Sequence, residues 1–205
     1  MSDGDKLDWI WATTDDASLI ARYDSWADSY DEDHDEWGWN GPGHAADALL
    51  AHGTPEVVLD AGCGTGRLAV ELNRRGWTGQ LIGVDLSWGM LERAGRLNAY
   101  DSLLRGSLHD LSLRGSSVDA VVATGVFTHG HVNHEAFPEL IRLVASDGLV
   151  VITSREEVWD ALKPHAAAIE ETGAWSLIDR TEPQSFHPGR DVDDRPQSII
   201  SWRVG

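Results

Sequence analysis

From Pro55 onward, short apolar runs alternate with stretches of helical periodicity. The helical stretches cover about 67–75, a segment starting near Ser87, 134–144 and 155–172, the last expected to break or kink at Pro164. This alternation is typical of a mostly parallel sheet covered by helices on both faces. The apolar runs predict strands at Val57–Asp60, Leu81–Val84, Asp101–Leu104, Val118–Thr124, Leu149–Thr153, Trp175–Thr181 and Ser198–Val204.

The segment before this region predicts helices. Apolar and aromatic residues recur every three or four positions between Asp15 and Tyr30, as in an amphipathic helix. The acidic run 31–36 predicts a solvated loop rather than a calcium loop, because Glu36 and Pro42 stand where such a loop needs Gly and Glu. Residues 41–43 are expected to break the chain before a second helix at 44–51, and residues 1–14 are expected to be poorly ordered.

A glycine-rich turn follows the first predicted strand. That strand ends at Asp60, and glycines at 62, 64 and 66 lead into the next helix. Such a turn brings backbone N–H groups and the positive end of a helix dipole against a ligand. The dinucleotide fingerprint requires Gly or Ala where Arg67 stands, so the match to it is poor. Asp85 ends the second strand about 20 residues after the turn, where an acid can accept both hydroxyls of a ribose.

Charge and cysteine content limit the classes of partner. The formal net charge is −18, with 16 Lys+Arg against 34 Asp+Glu. This balance disfavours nucleic acid and anionic membranes, which require cationic side chains. Cys63 is the single cysteine, which excludes an internal disulfide and fits a reducing compartment. With no apolar signal segment and no run near about 18 apolar residues, the chain is expected to be soluble and cytoplasmic. The sequence leaves open whether it is a monomer or a dimer.

Several motifs resemble those of one enzyme family. Residues 57–66 resemble motif I of the class I S-adenosylmethionine (SAM)-dependent methyltransferases, (V/I)LDxGCGTG. Residues 23–31 resemble the Y-x-x-W-A-x-x-Y-D segment that covers bound SAM, and residues 85–91 resemble D-x-S-x-x-M-L. Together with residues 125–132 and 138–140, this order resembles the methyltransferase-like proteins named after the Williams–Beuren syndrome chromosomal region. The resemblance covers roughly residues 19–160.

The resemblance implies a fold and a domain organisation. The expected fold is α/β and Rossmann-like, with a seven-stranded, mostly parallel sheet whose last strand is antiparallel and with helices on both faces. It further implies one domain over residues 1–205, with an N-terminal helical lid at 1–53 and a core at 54–205.

The resemblance also implies a set of residues that bind SAM. Ser107 replaces the family's adenine-contacting Asp, which leaves that contact in doubt or to a backbone carbonyl. Two alternatives stay open: the lid aromatics could simply pack on the sheet, and Asp85 could simply cap the next helix. The expected cofactor-binding residues are Tyr23, Trp26, Tyr30, Asp60, Ala61, Gly62, Cys63, Gly64, Gly66, Asp85, Leu86, Met90, Ser107, Leu108, Thr124 and Gly125.

The acceptor is less well defined by the sequence. The (D/N)-P-P-(Y/F) motif of enzymes that methylate amino groups of adenine or glutamine is absent. Histidines at 129, 131 and 134 precede Glu135 in a pattern that could ligate zinc or iron, form a polar loop or face the acceptor. We favour His129, nearest the strand end, as a general base and expect no metal.

The predicted reaction is methyl transfer from SAM to a small molecule, with S-adenosylhomocysteine as the product. Two alternatives stay open: a SAM-binding sensor or interaction protein without catalysis, and a nicotinamide oxidoreductase. The cationic sulfonium donor is compatible with an acidic protein.

Overall fold

A computed structural model of the chain describes residues 9, 15–128, 132–187 and 195–205. Its strands are β1 (Val57–Ala61), β2 (Gln80–Asp85), β3 (Ser102–Arg105), β4 (Val118–Phe127), β5 (Val144–Arg155), β6 (Trp175–Arg180) and β7 (Gln197–Val204). They form one seven-stranded sheet in the order β3-β2-β1-β4-β5-β7-β6. The predicted seven strands are therefore confirmed.

Only β7 runs against its neighbours in this sheet. The pairs from β3 through β5 are parallel, and β7 pairs antiparallel with both β5 and β6. The strand order reverses direction between β1 and β4, so the connections that leave these two strands diverge. In open α/β sheets this switch point creates a crevice at the carboxyl ends of the strands.

Helices cover both faces of the sheet. They are α1 (Asp16–Trp26), α2 (Tyr30–Trp37), α3 (Gly41–His52), α4 (Arg67–Arg74), α5 (Trp88–Arg96), α6 (Phe137–Leu143) and α7 (Glu156–Thr172), with a short 3₁₀ turn at His134–Ala136. Val58 and Leu59 of β1 are both fully buried but belong to different apolar clusters. Successive strand side chains point to opposite faces, so the sheet has a core on each side.

Two N-terminal expectations were wrong. The acidic run predicted as a solvated loop forms most of α2, with Asp31, Glu32 and Asp33 in the first helical turn. Acidic side chains there favour the positive end of the helix dipole. Residues 41–43 open α3 instead of breaking the chain, because Pro42 occupies the first turn, where a missing N–H costs nothing.

Later elements also differ in detail. α7 continues through Pro164, whose neighbours Trp159, Leu162 and Ala166 are buried against the core and hold the helix on both sides of it. β5 begins at Val144, before the predicted turn at 147–148, and Asp147 adopts a left-handed φ of 67° at an irregularity in the strand. Residues 1–8 and 10–14 lie outside the described residues. Among the described helices, none has the length and apolar character needed to cross a membrane.

Candidate functional site

A cleft of about 880 Å³, including its open mouth, lies at the carboxyl ends of the parallel strands. The turn after β1, the end of β2, the segment after β3 and the end of β4 all contribute to it, and α1 supplies a further wall. The predicted cofactor-binding residues that line the cleft are Tyr23, Tyr30, Gly62, Gly64, Asp85, Leu86, Met90, Ser107, Leu108, Thr124 and Gly125.

The glycines of the turn after β1 have different roles. Gly62 has φ +77°, and a Cβ placed on it would lie 2.4 Å from Cγ2 of Val126. Gly64 has φ +54°, and a Cβ placed on it would meet nothing within 4 Å. Gly62 is therefore required by packing, whereas Gly64 borders open space in the cleft.

The turn does not present the free N–H groups expected from the sequence at its first three positions. The amides of Gly62 and Cys63 both donate to the carbonyl of Val84, at 2.8 and 2.9 Å. The amide of Gly64 donates to Oδ2 of Asp85 at 2.9 Å. Because these donors already have partners, the turn offers room for a ligand here rather than unsatisfied hydrogen-bond donors.

Asp85 combines a structural role with a place in the cleft. Besides the Gly64 amide, its carboxylate accepts the amide of Ser87 at 2.8 Å, just before α5. Burial raises the pKa of this carboxyl, and the hydrogen bonds from the amides of Ser87, Gly64 and Leu86 oppose that rise. A carboxylate has about four lone-pair positions, and the amides of Gly64 and Ser87 occupy two of them at hydrogen-bond distance, which leaves two for ribose hydroxyls.

The other predicted cofactor-binding residues lie next to the cleft without lining it: Trp26, Asp60, Ala61, Cys63 and Gly66. Asp60 accepts a hydrogen bond from the Tyr100 hydroxyl at 2.7 Å, and burial raises its pKa to about 7. A Cβ on Gly66 would lie 2.5 Å from Cδ1 of Leu97. Cys63 is buried, which raises the pKa of its thiol well above the usual value.

Helices α1 and α2 are attached to the core at the rim of the cleft. Oδ1 of Asp24 accepts hydrogen bonds from the hydroxyl of Ser87 at 2.5 Å and from the amide of Gly89 at 2.9 Å. In α2, Oδ1 of Asp31 accepts a hydrogen bond from the hydroxyl of Thr65 at 2.7 Å. Asp31 and Asp35 also pair with Arg67 at the start of α4, with the Asp35 contact at 2.8 Å. These contacts hold the two helices over the glycine turn.

A second cavity of about 520 Å³, including its open mouth, adjoins the cleft, and we call it the aromatic cavity. Tyr23, Tyr30 and Gly125 line both spaces. The remaining lining residues are Trp26, His34, Trp39, Thr128, Arg155, His187 and Gln197. Sequence reasoning missed His34, Trp39, Arg155 and His187 as site residues. A His within an acidic run is a weak signal for such a role, because an acidic run predicts a solvated segment.

The predicted base His129 and its neighbour His131 lie outside the described residues, so the role of His129 stays a prediction. His134 stacks on His165 of α7, with ring centroids 3.4 Å apart. Ser107 Oγ lies 3.2 Å from Nδ1 of His109, which also lines the cleft.

Comparison with known proteins agrees with this architecture. A family model described as a methyltransferase domain matches residues 59–152. Human methyltransferase-like protein 27 is 35% identical over 170 residues, which cover 78% of this chain and 69% of that protein. Malonyl-acyl-carrier-protein O-methyltransferase from Methylovorus sp. is 28% identical over 135 residues, covering 62% of this chain and 45% of that enzyme. A SAM-dependent methyltransferase from Thermotoga maritima superposes with a TM-score of 0.65 at 16% identity, covering 89% of this chain and 98% of that one.

The sheet order and the glycine turn define a Rossmann-like methyltransferase fold. The chain belongs to the class I SAM-dependent methyltransferases, and its cofactor is SAM. Two observations fit that cofactor. The space beside Gly64 remains open, and within the described part of the chain the buried Oγ1 of Thr124, at the cleft wall, has no hydrogen-bond partner.

Proposed function

We propose that this methyltransferase acts on a small-molecule acceptor held in the aromatic cavity, while SAM occupies the neighbouring cleft. The observation that carries the proposal is the shared wall: Tyr23, Tyr30 and Gly125 border both spaces. A donor and an acceptor in adjoining spaces are held close together, which replaces a bimolecular encounter by an oriented one. The concave, largely aromatic lining of this cavity favours a small guest over a polymer.

The roles of the cleft residues follow from their positions. Asp85 holds the ribose hydroxyls, Gly64 leaves room for the ligand, and Leu86, Met90 and Leu108 surround the adenine. Thr124 and Gly125, at the end of β4, lie at the side nearer the aromatic cavity, since Gly125 lines both spaces. Tyr23 and Tyr30 separate the reactants from solvent on the lid side.

SAM supplies a methyl group that is already activated by the positive charge on its sulfur. The protein therefore mainly aligns the acceptor and excludes water. The net charge of −18 supports an acceptor other than nucleic acid or an anionic membrane, and it does not oppose binding of a cationic donor.

Transfer of a labelled methyl group tests the proposal. Purified protein is incubated with methyl-labelled SAM and, separately, the small-molecule and macromolecular fractions of a cell extract. We expect label in the small-molecule products and none when Asp85→Ala replaces the wild type. Label confined to the macromolecular fraction would contradict a small acceptor, and absence of any heat on titration with S-adenosylhomocysteine at millimolar concentration would contradict the cofactor site.

A further inference from the structure

His34 is a buried polar residue of α2 that faces the aromatic cavity, and the reaction described so far does not use it. The residue is 6% exposed and is one of the cavity-lining residues. Its Nδ1 lies 2.9 Å from the carbonyl oxygen of Tyr30. A carbonyl oxygen only accepts hydrogen bonds, so Nδ1 must carry the proton in this contact.

The hydrogen bond to Tyr30 fixes the tautomer of the ring. In a neutral imidazole with a proton on Nδ1, Nε2 has a free lone pair and acts as an acceptor. Within the described residues, Nε2 of His34 makes no hydrogen bond. The lone pair of Nε2 is therefore available to a ligand in the cavity that His34 lines.

The surroundings keep this ring neutral. Burial is the largest influence and lowers the pKa of His34 to about 3. The positive charge of Arg67 lowers it further, while the hydrogen bond to Tyr30 and the negative charge of Asp33 oppose that effect. Arg155 adds another cationic group to the cavity wall. At neutral pH the imidazole is therefore an uncharged hydrogen-bond acceptor.

The walls around His34 are flat and aromatic. Its ring centroid lies 4.0 Å from that of Tyr30 in a stacked arrangement, 4.8 Å from that of Trp39 and 5.2 Å from that of Trp26. Aromatic walls of this kind favour a planar guest that stacks or packs edge-on. The guanidinium of Arg155 in the same cavity wall disfavours an ammonium guest.

We propose that Nε2 of His34 accepts the hydrogen bond, and then the proton, of a hydroxyl group carried by a ring-bearing acceptor. This inference rests on the proposed function and names the acceptor class and the base for that site. His34 takes the place in the reaction that sequence reasoning gave to His129, because it touches the acceptor from the lid side.

The proton and electrons balance as follows. The acceptor oxygen forms a bond to the methyl carbon with one of its lone pairs, and the pair of the broken carbon–sulfur bond stays on sulfur as S-adenosylhomocysteine forms. The O–H bond breaks, its electron pair stays on oxygen, and the proton moves to Nε2, which later releases it to water. An oxygen that gains a methyl group becomes strongly acidic, so a weakly basic imidazole suffices.

The first test is nuclear magnetic resonance of the wild-type protein saturated with S-adenosylhomocysteine. The nitrogen-15 spectrum of His34 should show a protonated Nδ1 and an unprotonated Nε2 at neutral pH. Addition of phenol should shift the Nε2 signal, whereas toluene, which has the same shape and no hydroxyl, should leave it unchanged. A proton on Nε2, or equal responses to phenol and toluene, would overturn the proposal.

The second test compares the affinities of the same two probes in variants. In His34→Phe the ring remains and the acceptor is lost, so the preference for phenol over toluene should fall about fivefold relative to wild type. His34→Asn is the control for folding, because its side-chain amide can keep the bond to the Tyr30 carbonyl while Nε2 is absent. It should show the same fall, and an unchanged preference in both variants would refute the role of Nε2.

Titration with S-adenosylhomocysteine separates this inference from the proposed function. If S-adenosylhomocysteine binds wild type and both variants alike and the phenol preference falls, the role of His34 is supported. If S-adenosylhomocysteine binds and neither phenol nor toluene does, the aromatic cavity does not accept ring-bearing molecules and the inference is wrong. If S-adenosylhomocysteine itself fails to bind the wild type, the proposed function fails first.

Discussion

Replacing Gly64 by alanine should weaken cofactor binding while leaving the fold almost intact. At φ +54° an alanine pays the cost of the left-handed region, roughly 1–2 kcal/mol. No steric cost adds to it, because the new Cβ would meet no heavy atom within 4 Å. That same methyl group would occupy space in the cleft into which the cofactor has to fit.

Gly173 provides a matched control. It ends α7 at φ +77°, also with nothing within 4 Å of an added Cβ, and it lies outside the cleft. Gly173→Ala should therefore lose the same conformational free energy and should bind S-adenosylhomocysteine as the wild type does. Gly62→Ala adds a contact of 2.4 Å with Val126, and this overpacking raises the total loss to about 2–5 kcal/mol.

Thermal denaturation without ligand and calorimetric titration with S-adenosylhomocysteine measure the two effects separately. Gly64→Ala and Gly173→Ala should lose similar stability, about 2–4 °C in melting temperature for each kcal/mol in a chain of this size. Only Gly64→Ala should weaken binding, by about tenfold or more. If Gly64→Ala binds as tightly as the wild type, the ligand does not approach this backbone. If its stability falls to that of Gly62→Ala, the position is required by packing instead.

Three further outcomes are expected. Asp85→Ala should weaken binding of S-adenosylhomocysteine about 100-fold through loss of two charge-assisted hydrogen bonds, measured by calorimetry. Its control is Asp119→Ala, which also frees two backbone amides, those of Glu56 and Val57, but outside the cleft, and equal affinities in the two variants would argue against ribose binding. Asp60 has a pKa raised to about 7, so between pH 4 and 7 the folded state holds a proton that the unfolded chain has released, and wild-type stability falls as pH rises through that window. Asp60→Asn should lack this fall, and denaturation curves of variant and wild type that change in parallel with pH would contradict the assignment. Arg67→Ala should cost less than about 1 kcal/mol, because its acidic partners are more than half exposed, yet it should speed amide hydrogen exchange in α2. Arg74→Ala, which breaks an ion pair within α4 alone, should leave α2 unchanged, and equal exchange in both variants would show that Arg67 does not hold the lid.

The centre of the sheet was predictable because its buried strands are nearly continuous apolar runs. A strand buried on both faces, such as β4, needs apolar residues at nearly every position, and that requirement is visible in one sequence. The glycine turn was equally visible, since its left-handed conformations tolerate few other residues. The hydrogen-bond partners of the turn's amides could not be predicted, because the acceptors, Val84 and Asp85, belong to the next strand.

The helix α2 was missed for a related reason. Its acidic residues predict a solvated segment because their cationic partner, Arg67, is far along the chain. The local sequence pattern carries no information about such a contact. The aromatic cavity could not be predicted from the sequence for the same reason. Its walls come from α1, α2, the end of β4 and the segment near His187, and only the fold brings those parts together.

The attachment of α1 and α2 over the glycine turn has a consequence for how the enzyme cycles. Because Tyr23 and Tyr30 form part of the wall around both spaces, separation of these helices from Ser87, Thr65 and Arg67 would widen both spaces together. The polar contacts that such a movement breaks are partly exposed, and dissolved salt weakens the ionic ones. Any step of the reaction cycle that needs the wider opening is therefore sensitive to ionic strength.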